Sequence, residues 1–389
     1  MDLKVFDTEL TPLGVIDEMV SLLWTPTYWA EGTTGDFKLL APLTENNKKL
    51  LVKGNIVVLH DGKPEYTDET GSWRRAAQIR YRKIKRDQQG AEQIEVQGCF
   101  LKRWLSKRVI LNKIVMTATE QEKINRIVTE NHGSGAAARR QLPRFCILAQ
   151  GDLGGSRTEY SNEDLVDAGK EIYTRSLAGK LGHDILVNEN AGKYGFYLYK
   201  GKDLTDSNAE GNDRVVFSRE MDNMSGQEYT ESDEGVKNVV YVTGAEDEAG
   251  AVPVVEIDQG GEGLYRDEVH VEMSSISRTY YENEVEVTIP EAEYLKMLQA
   301  AGDDSLKDYG ETLSFSAVID INSRKKYGED FNVGDRVTCI EKNWGIKVDV
   351  RITAVCIAYQ NNIKEVEATL GDSLPTLIQQ IQKEIKKAR

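Results

Sequence analysis

A regular alternation of apolar and polar residues near the C-terminus constrains the fold most strongly. From Ile346 to Thr353, apolar side chains occupy the even positions and polar side chains the odd positions. Successive side chains of a strand point to opposite faces, so this pattern predicts a strand with one buried face. Turn residues on both sides of residues 336–340 predict a second strand beside it.

The first 118 residues also predict short strands. The clearest feature is a hairpin in which residues 77–86 and 91–98 flank Asp87-Gln88-Gln89-Gly90, where glycine tolerates the positive φ of a turn. A short helix follows, with an apolar side formed by Phe100, Leu101, Trp104 and Leu105. We expect an antiparallel sandwich or small barrel over residues 1–118.

In residues 119–212 the spacing of apolar residues changes from the period of strands to that of helices. Thr119 to Glu122 form a capping-box pattern, which predicts the start of a helix. A second helix is predicted from Ser161 to about Leu181. A buried strand at residues 145–149 and a hairpin around residues 194–199 complete a predicted α+β domain.

The remaining strands predict a second β-rich domain, made of residues 213–245 and 312–371. Between these two parts, residues 246–311 are acidic and rich in glycine. They contain a predicted helix from Glu291 to Ala301, which Pro290 precedes at a favourable position. We expect residues 246–311 to form an inserted acidic domain.

Residues 372–389 predict a C-terminal amphipathic helix with an apolar stripe of Leu374, Leu377, Ile378, Ile381 and Ile385. Burying each such side chain is worth roughly 1.5–3 kcal/mol, so we expect the stripe to be covered. Leu377, Ile381 and Ile385 are therefore candidate contact residues. Packing on the chain's own β-rich domain and docking on another subunit both remain open.

Length and composition are consistent with several domains. The chain has 389 residues, of which 40% are hydrophobic, enough for two to four cores. Together these patterns predict a mostly β, α+β fold with two antiparallel barrel or sandwich domains. The longest apolar run, Ala354 to Tyr359, is too short to cross a bilayer. Because the first residues do not resemble a signal peptide, we expect synthesis in the cytosol.

Charge is segregated along the chain, although the net charge is −15. Residues 71–140 carry 16 basic and 6 acidic side chains, which gives +10, whereas residues 203–272 carry 4 basic and 19 acidic side chains, which gives −15. Two solvated faces would explain this division. Complementary contacts within or between subunits would explain it as well.

Motifs for catalysis or metal binding are weak. The sequence contains no phosphate-binding loop and no G-x-S-x-G elbow, and its four histidines and four cysteines are scattered. Ser323 to Lys326 match S-x-x-K without the motifs that accompany it in hydrolases. An acidic loop could hold Ca²⁺ but lacks EF-hand spacing: Asp203, Asp206, Asn208, Glu210 and Asp213. We predict no catalytic site, metal or cofactor.

The basic cluster on the predicted hairpin is a candidate interface. Its exposed positions are expected to include Arg80, Arg82, Lys85 and Arg86. Aromatic residues interleaved with basic ones can indicate nucleic-acid binding. The acidic chain as a whole, with a pI near 5.0, favours a solvated face of the hairpin or a protein–protein contact instead.

Both ends of the sequence resemble the ReqiPepy-type siphovirus tail protein family. The matching patterns are W-x-x-x-Y from Trp24 to Tyr28, G-x-F-x-L from Gly35 to Leu39, and G-x-x-L-x-x-x-L-x-x-R-x-I from Gly98 to Ile110. Near the end, residues 333–338 and 345–355 are similar to tail-hub proteins of phages and prophages. The resemblance covers nearly the whole chain and is weakest across residues 200–311.

This resemblance implies a structural hub at the tail tip or baseplate of a virion, formed as a homotrimer with tube-type domains. Such a hub caps the tail tube, adapts sixfold to threefold symmetry and opens for DNA passage. Its implied partners are the distal tail or baseplate ring protein, the tail tube, the tape measure protein and the tail fibres. Neither a membrane nor specific nucleic acid is an expected partner, and no enzymatic activity is expected.

Two other functions are compatible with the sequence. One is a tail-associated peptidoglycan hydrolase with an unrecognised carboxylate pair, since carboxylates are abundant. The other is carbohydrate binding at the host surface, which would require exposed tryptophans. The tryptophans lie in predicted strands or helices, where core or interface positions are expected: Trp24, Trp29, Trp73, Trp104 and Trp344.

Overall fold

The computed structural model describes residues 2–16, 18–29, 35–86, 90–162, 165–247, 249–274, 276–282, 285–306, 309–310, 312–320, 324–360 and 363–371. Two compact units are present: residues 1–229 with 314–373 form the first, and residues 230–313 lie in the second. No helix in the described part of the chain is long and apolar enough to cross a membrane.

The first part of the chain is rich in strands. They are β1 (Asp2–Phe6), β2 (Pro12–Ile16), β3 (Ser21–Thr25), β4 (Asp36–Pro42), β5 (Ile56–His60), β6 (Tyr66–Asp68), β7 (Gly71–Arg86), β8 (Glu92–Phe100) and β9 (Val115–Ala118). The short helix α1 (Glu45–Leu50) follows β4, and a 3₁₀ helix spans Leu101–Lys107.

The middle of the chain mixes helices and strands. Its elements are α2 (Glu120–Asn131), β10 (Phe145–Ile147), β11 (Thr158–Ser161), α3 (Ala168–Gly179), β12 (Gly182–Asn188), β13 (Lys193–Tyr199), β14 (Val216–Ser218) and β15 (Met224–Ser232). Helix α2 begins with the predicted capping box, because the Thr119 and Glu122 side chains each bond the other's backbone N–H.

The remaining elements are β16 (Val239–Thr243), β17 (Val254–Asp258), β18 (Glu268–Glu272), β19 (Thr279–Glu282), β20 (Val285–Thr288), α4 (Glu291–Leu306), β21 (Thr312–Ile319), β22 (Arg336–Glu341), β23 (Ile346–Gln360) and β24 (Ile363–Gly371). Strands β16, β17 and β18 form the sheet of the second unit, with β16 in the middle. Helix α4 packs on this sheet through Tyr294 and Leu298, which are fully buried.

Strands from both ends of the chain share one extended sheet in the first unit. The order β2–β1–β5–β7–β8–β4–β3 is antiparallel throughout. Strand β3 then pairs with β23, in a register that places Trp24 opposite Ile357, and β24 and β21 follow. The N-terminal and C-terminal strands are therefore joined directly by hydrogen bonds.

The α+β part is attached to this sheet through β12, which pairs with β7. Strand β13 pairs with the other edge of β12, and β10 runs parallel to β13. Helices α2 and α3 pack together against this sheet, and their shared core includes Ile124, Ile127 and Ile172. The burial of these apolar positions stabilises the helices on the sheet.

The predicted fold class is confirmed, because strands make up 45% and helices 19% of this α+β structure. Closed barrels, one of the two predicted architectures, are not observed: within the described ranges the sheets stay open. A barrel closes only when its first and last strands pair. Here β3 instead pairs with β23, so strands from the two ends merge into one sheet.

The predicted start of the second helix at Ser161 is wrong. Ser161 ends β11, and α3 begins only at Ala168. Leu165 takes a left-handed φ of 56°, which interrupts a helix, and the Asp167 side chain caps α3 by accepting from the Lys170 N–H.

Candidate functional site

The candidate basic interface lies on the β7–β8 hairpin. From Arg75 to Ile79, β7 is buried between neighbouring strands, whereas from Arg80 onward almost every residue is exposed. A β-bulge between Ile79 and Tyr81 marks this change, and bulges increase the local twist of a strand. The end of the hairpin is therefore an exposed, basic two-stranded ribbon.

The four predicted contact residues do not share one face of this ribbon. Beyond the bulge, Arg82 and Arg86 occupy one face and Lys85 the other, since side chains alternate along the strand. Arg80 lies at the bulge itself. Sequence reasoning placed all four on the hairpin without dividing them, although alternation alone separates Lys85 from Arg82 and Arg86; only the position of Arg80 depends on the bulge.

Two of the four residues have partners in their own chain. Arg82 donates to the Lys48 carbonyl oxygen at 2.9 Å, and Arg86 Nε donates to Glu92 Oε1 at 3.1 Å. Lys85 lies opposite Gln93 and is exposed. Arg80 and Lys85 are thus the better candidates for a contact with a partner.

Sequence reasoning missed a buried ionic cluster between β7 and β12. Arg75 donates to Asp184 at 2.8 Å and to the Tyr199 hydroxyl at 3.0 Å. Lys102 Nζ lies 3.8 Å from the other Asp184 oxygen and donates to the Thr27 carbonyl. Burial lowers the pKa of Lys102 to about 8, while the Asp184 charge opposes this shift.

The available sequence signal for this cluster is the position of Arg75. It lies two residues after Trp73 and two before Ala77, so it shares their inward-facing phase on β7. A charged residue in that phase indicates a buried partner. The partner's identity depends on a strand pairing that local patterns do not reveal.

A second cluster joins three parts of the first unit around Tyr28, the last residue of the W-x-x-x-Y pattern. The Tyr28 hydroxyl donates to the Lys180 carbonyl at 2.9 Å, and its backbone N–H donates to the Thr353 carbonyl at 2.7 Å. The Arg351 guanidinium lies 5.2 Å from the ring centroid. A Cβ at Gly182 or Gly334 would come within 2.4 Å of the ring.

The candidate calcium loop is organised by protein partners. Asp203 accepts hydrogen bonds from Thr205 and faces Arg336, and Asp206 lies 2.6 Å from Lys347 Nζ. No cluster of potential metal ligands is found among the residues that the structure describes. The carboxylates are therefore used to hold this loop on β22 and β23.

A shallow polar pocket of about 410 Å³ lies beside the start of α2, lined by Gln121, Glu122, Asn125, Asp152 and Arg157 among others. Glu122 accepts from Arg157 at 2.7 and 2.8 Å, and the Thr119 backbone and Arg157 lower its pKa. A general acid for glycoside hydrolysis needs a raised pKa instead. Glu122 therefore lacks the property that this chemistry requires.

Most tryptophans occupy interior positions. Trp24, Trp73 and Trp104 are buried, Trp29 is half-buried, and only Trp344 of the five is exposed, at 51%. Trp24 packs on Phe37 and Phe100, so residues of the family patterns meet in one aromatic core. Ser323 and three residues of the predicted C-terminal helix, Leu377, Ile381 and Ile385, lie outside the described residues.

Comparisons with known proteins agree with this fold. The tail protein from Neisseria meningitidis MC58 resembles 96% of this chain over 96% of its own, with a TM-score of 0.54 and 11% sequence identity. The 43 kDa tail protein of prophage MuSo2 from Shewanella oneidensis resembles 95% of this chain over 98% of its own, with a TM-score of 0.55 and 11% identity. The prophage tail protein gp18 from Listeria monocytogenes EGD-e resembles 100% of this chain over 99% of its own, with a TM-score of 0.52 and 13% identity.

A search of curated protein sequences finds no match. A family model does match, and it covers residues 2–372 under the description Siphovirus ReqiPepy6 Gp37-like protein. This range includes both units of the fold and every pattern that suggested the resemblance. The chain therefore belongs to the ReqiPepy6 Gp37-like family of siphovirus tail proteins.

Proposed function

We propose that this tail protein is a structural hub at the tail tip or baseplate of a virion. In this proposal three copies form a ring that caps the tail tube, adapts its sixfold symmetry to a threefold tip and opens for DNA passage. The observation that carries the proposal is the family match over residues 2–372. The tail-protein fold, shared over almost the full length, supports it.

The first unit has features that suit a mechanical role. Strands from both ends of the chain pair through β3 and β23, so pulling on either end loads one continuous sheet. The buried Arg75–Asp184 pair and the Tyr28 cluster tie the α+β part to that sheet. Removing one partner of such a buried pair costs several kcal/mol, roughly 3–5, so the connection resists separation.

The exposed basic ribbon suits a contact with other tail components. A ring closes through heterologous contacts, so each subunit must present two different complementary surfaces. Arg80 and Lys85 provide positive charge on one such surface. We propose the distal tail or baseplate ring protein, the tube, the tape measure protein and the fibres as partners.

Labelling the chain in assembled particles tests the proposed location. A gold-binding tag on the chain should appear at the tail tip, at the end of the tube away from the capsid. Label along the whole tube or on the capsid would contradict the hub proposal. A zymogram on bacterial cell walls tests the alternative of a peptidoglycan hydrolase, and a cleared band from the purified chain would contradict a purely structural role.

A further inference from the structure

Two large side chains in the second unit are left in water. Leu264 is 98% exposed and Tyr265 is 82% exposed, in a single 3₁₀ turn, Gly263–Tyr265, between β17 and β18. Scattered apolar residues at a surface are ordinary. Two adjacent ones that project almost completely from the protein form an apolar tip, called here the Leu264–Tyr265 tip.

The backbone that carries this tip is held in place by its neighbours. The Asn238 side chain donates to the Tyr265 carbonyl at 2.6 Å and accepts from the Asp267 N–H at 2.8 Å. Gly261, with φ +104°, lies so close that a Cβ there would meet the Tyr265 carbonyl oxygen at 2.3 Å. A tip ordered before binding loses less conformational entropy when it binds.

Arg266 fixes the base of the tip to the sheet. It donates to Glu256, Asp258 and Glu268 at 2.6 to 2.7 Å, which raises its pKa and neutralises its charge locally. The exposed carboxylate of Glu262 lies beside the tip. Carboxylates outnumber cations around the tip, so an anionic lipid surface would repel it and a basic protein surface would attract it.

The first unit offers a groove of matching character. On the outer face of β3, β4, β8 and β7, a groove of about 420 Å³ is lined by Leu23, Asp36, Lys38, Arg80, Tyr81 and Gly98 among others. Leu23 is 42% and Tyr81 46% exposed, so apolar surface is open to water here too.

Positive charge predominates beside this groove. Lys38 forms an ion pair with Glu95, which lies opposite Lys83 on the hairpin, and Asp36 is an acidic residue of the groove lining. Arg80 adds a cation near Lys107. Burial is the main cause of the lowered pKa of Lys107, and the charge of Arg80 lowers this pKa further. A groove with apolar walls and a basic rim complements an apolar tip with acidic surroundings.

We propose that the Leu264–Tyr265 tip of one copy of this chain inserts into the β3–β4–β8–β7 groove of a second copy. This inference rests on the proposed function only in taking another copy as the partner. The two surfaces differ from each other, as the heterologous contacts of a ring require. It also assigns Arg80 a specific role, opposite Glu262 at the rim of the contact.

Sedimentation of the purified full-length chain at micromolar concentration tests this contact. A buried aromatic anchor contributes enough that L264A/Y265A should weaken self-association by about thirtyfold or more. The matched control is V254A, which removes an exposed apolar side chain from the same unit and should leave association within about twofold of wild type. Melting curves of each variant establish that it is folded.

Charge exchange and cross-linking provide independent readouts. R80E should weaken association, and adding E262K in the same chain should restore it in part. When a chain carrying L23C is mixed with one carrying L264C, oxidation should link the two different chains. Linking between chains distinguishes this contact from one formed within a single chain.

This contact would be overturned if the wild-type chain associates, L264A/Y265A associates equally well, and the L23C and L264C chains do not link. The hub proposal would then still stand. A wild-type chain that stays monomeric would overturn both. If the wild-type chain bound vesicles of anionic phospholipid and the tip variant did not, a lipid surface would replace the second copy as the partner of the tip.

Discussion

Arg75 Nε donates a 2.8 Å hydrogen bond to Asp184 Oδ2, although 109 residues separate the two in the chain. Both side chains are almost fully buried, at 6% and 3% exposure, and Lys102 lies against the same carboxylate. One carboxylate therefore balances two buried cations, with Glu65 closing the cluster at its more exposed side. This arrangement makes Asp184 the residue on which the connection between β7 and β12 depends.

The first prediction is that D184N destabilises the protein by about 3–5 kcal/mol, because it removes the carboxylate paired with Lys102 and leaves Arg75 with only the more exposed Glu65. Its matched control is E92Q, which breaks the exposed ion pair with Arg86. Exposed pairs contribute about 0–1 kcal/mol, so the control should change stability little. Urea unfolding measures both variants. Equal effects of D184N and E92Q would contradict the assigned role of Asp184.

The second prediction concerns acid stability. Burial lowers the pKa of His132 to about 4 and that of His183 to about 3, below the ordinary value of 6.5. In the unfolded chain both imidazoles bind protons near pH 6.5, whereas in the folded protein they stay neutral. Stability is therefore lost as pH falls below 6.5, by at most about 1.4 kcal/mol per pH unit for each histidine.

Urea unfolding between pH 7 and 5 measures this slope. H132Q should reduce the dependence of stability on pH by up to about 1.4 kcal/mol per pH unit, the contribution of one bound proton, whatever its effect on stability at pH 7. His132 lies against the Leu105 carbonyl at 2.9 Å, so the variant also removes a buried imidazole contact, which is why the slope and not the stability is the readout. An unchanged slope in H132Q would contradict the assignment.

The third prediction concerns the floor of the groove. A Cβ at Gly98 would meet the Gln78 carbonyl oxygen at 1.9 Å and Phe37 at 2.5 Å, both in neighbouring strands. G98A should therefore destabilise the protein by at least about 1–3 kcal/mol through overpacking. Gly235 has open space around it, so G235A is the control and should stay within about 0.5 kcal/mol of wild type. Thermal unfolding compares them.

Local features of this fold were accessible from the sequence. The capping box of Thr119 and Glu122, the β7–β8 hairpin and the alternation in β23 all depend on residues close together in the chain. Their physical basis is short-range: hydrogen bonds to nearby backbone groups and the period of the side chains. These elements appear where the patterns predicted them, although β23 continues to Gln360.

Long-range features were not accessible from local patterns. The pairing of Trp24 with Ile357 and the bond from Arg75 to Asp184 join residues from distant parts of the chain. Period and propensity specify that a strand forms but not which strand it pairs with. For the same reason, the sequence located Arg80 on a hairpin but did not reveal the bulge at this residue.

The fourth prediction separates the basic residues by their partners. Arg82 and Arg86 already bond within their own chain, so R80Q/K85Q should weaken assembly more than R82Q/R86Q does. Sedimentation and co-purification with tail components measure this difference. If R80Q/K85Q and R82Q/R86Q weakened assembly equally, this would contradict the inference that Arg80 and Lys85 contact a partner and that Arg82 and Arg86 bond only within the chain.

The same variants test the prediction that the ribbon does not bind DNA specifically. Phosphate contacts release counterions, so a strong contact would hold DNA rather than let it slide through a tail. Filter binding at 150 mM salt should show poor affinity for duplex DNA before and after R80Q/K85Q/R82Q/R86Q. Submicromolar affinity that these substitutions abolish would make the ribbon a nucleic-acid interface.

The symmetry of the assembled protein tests the central claim most directly. Electron microscopy of the purified chain, and of tail tips that contain it, should show rings with a threefold axis in which subunits contact one another through two different surfaces. Monomers at micromolar concentration in low salt, together with tail tips that lack a threefold axis at the position of this chain, would contradict the hub.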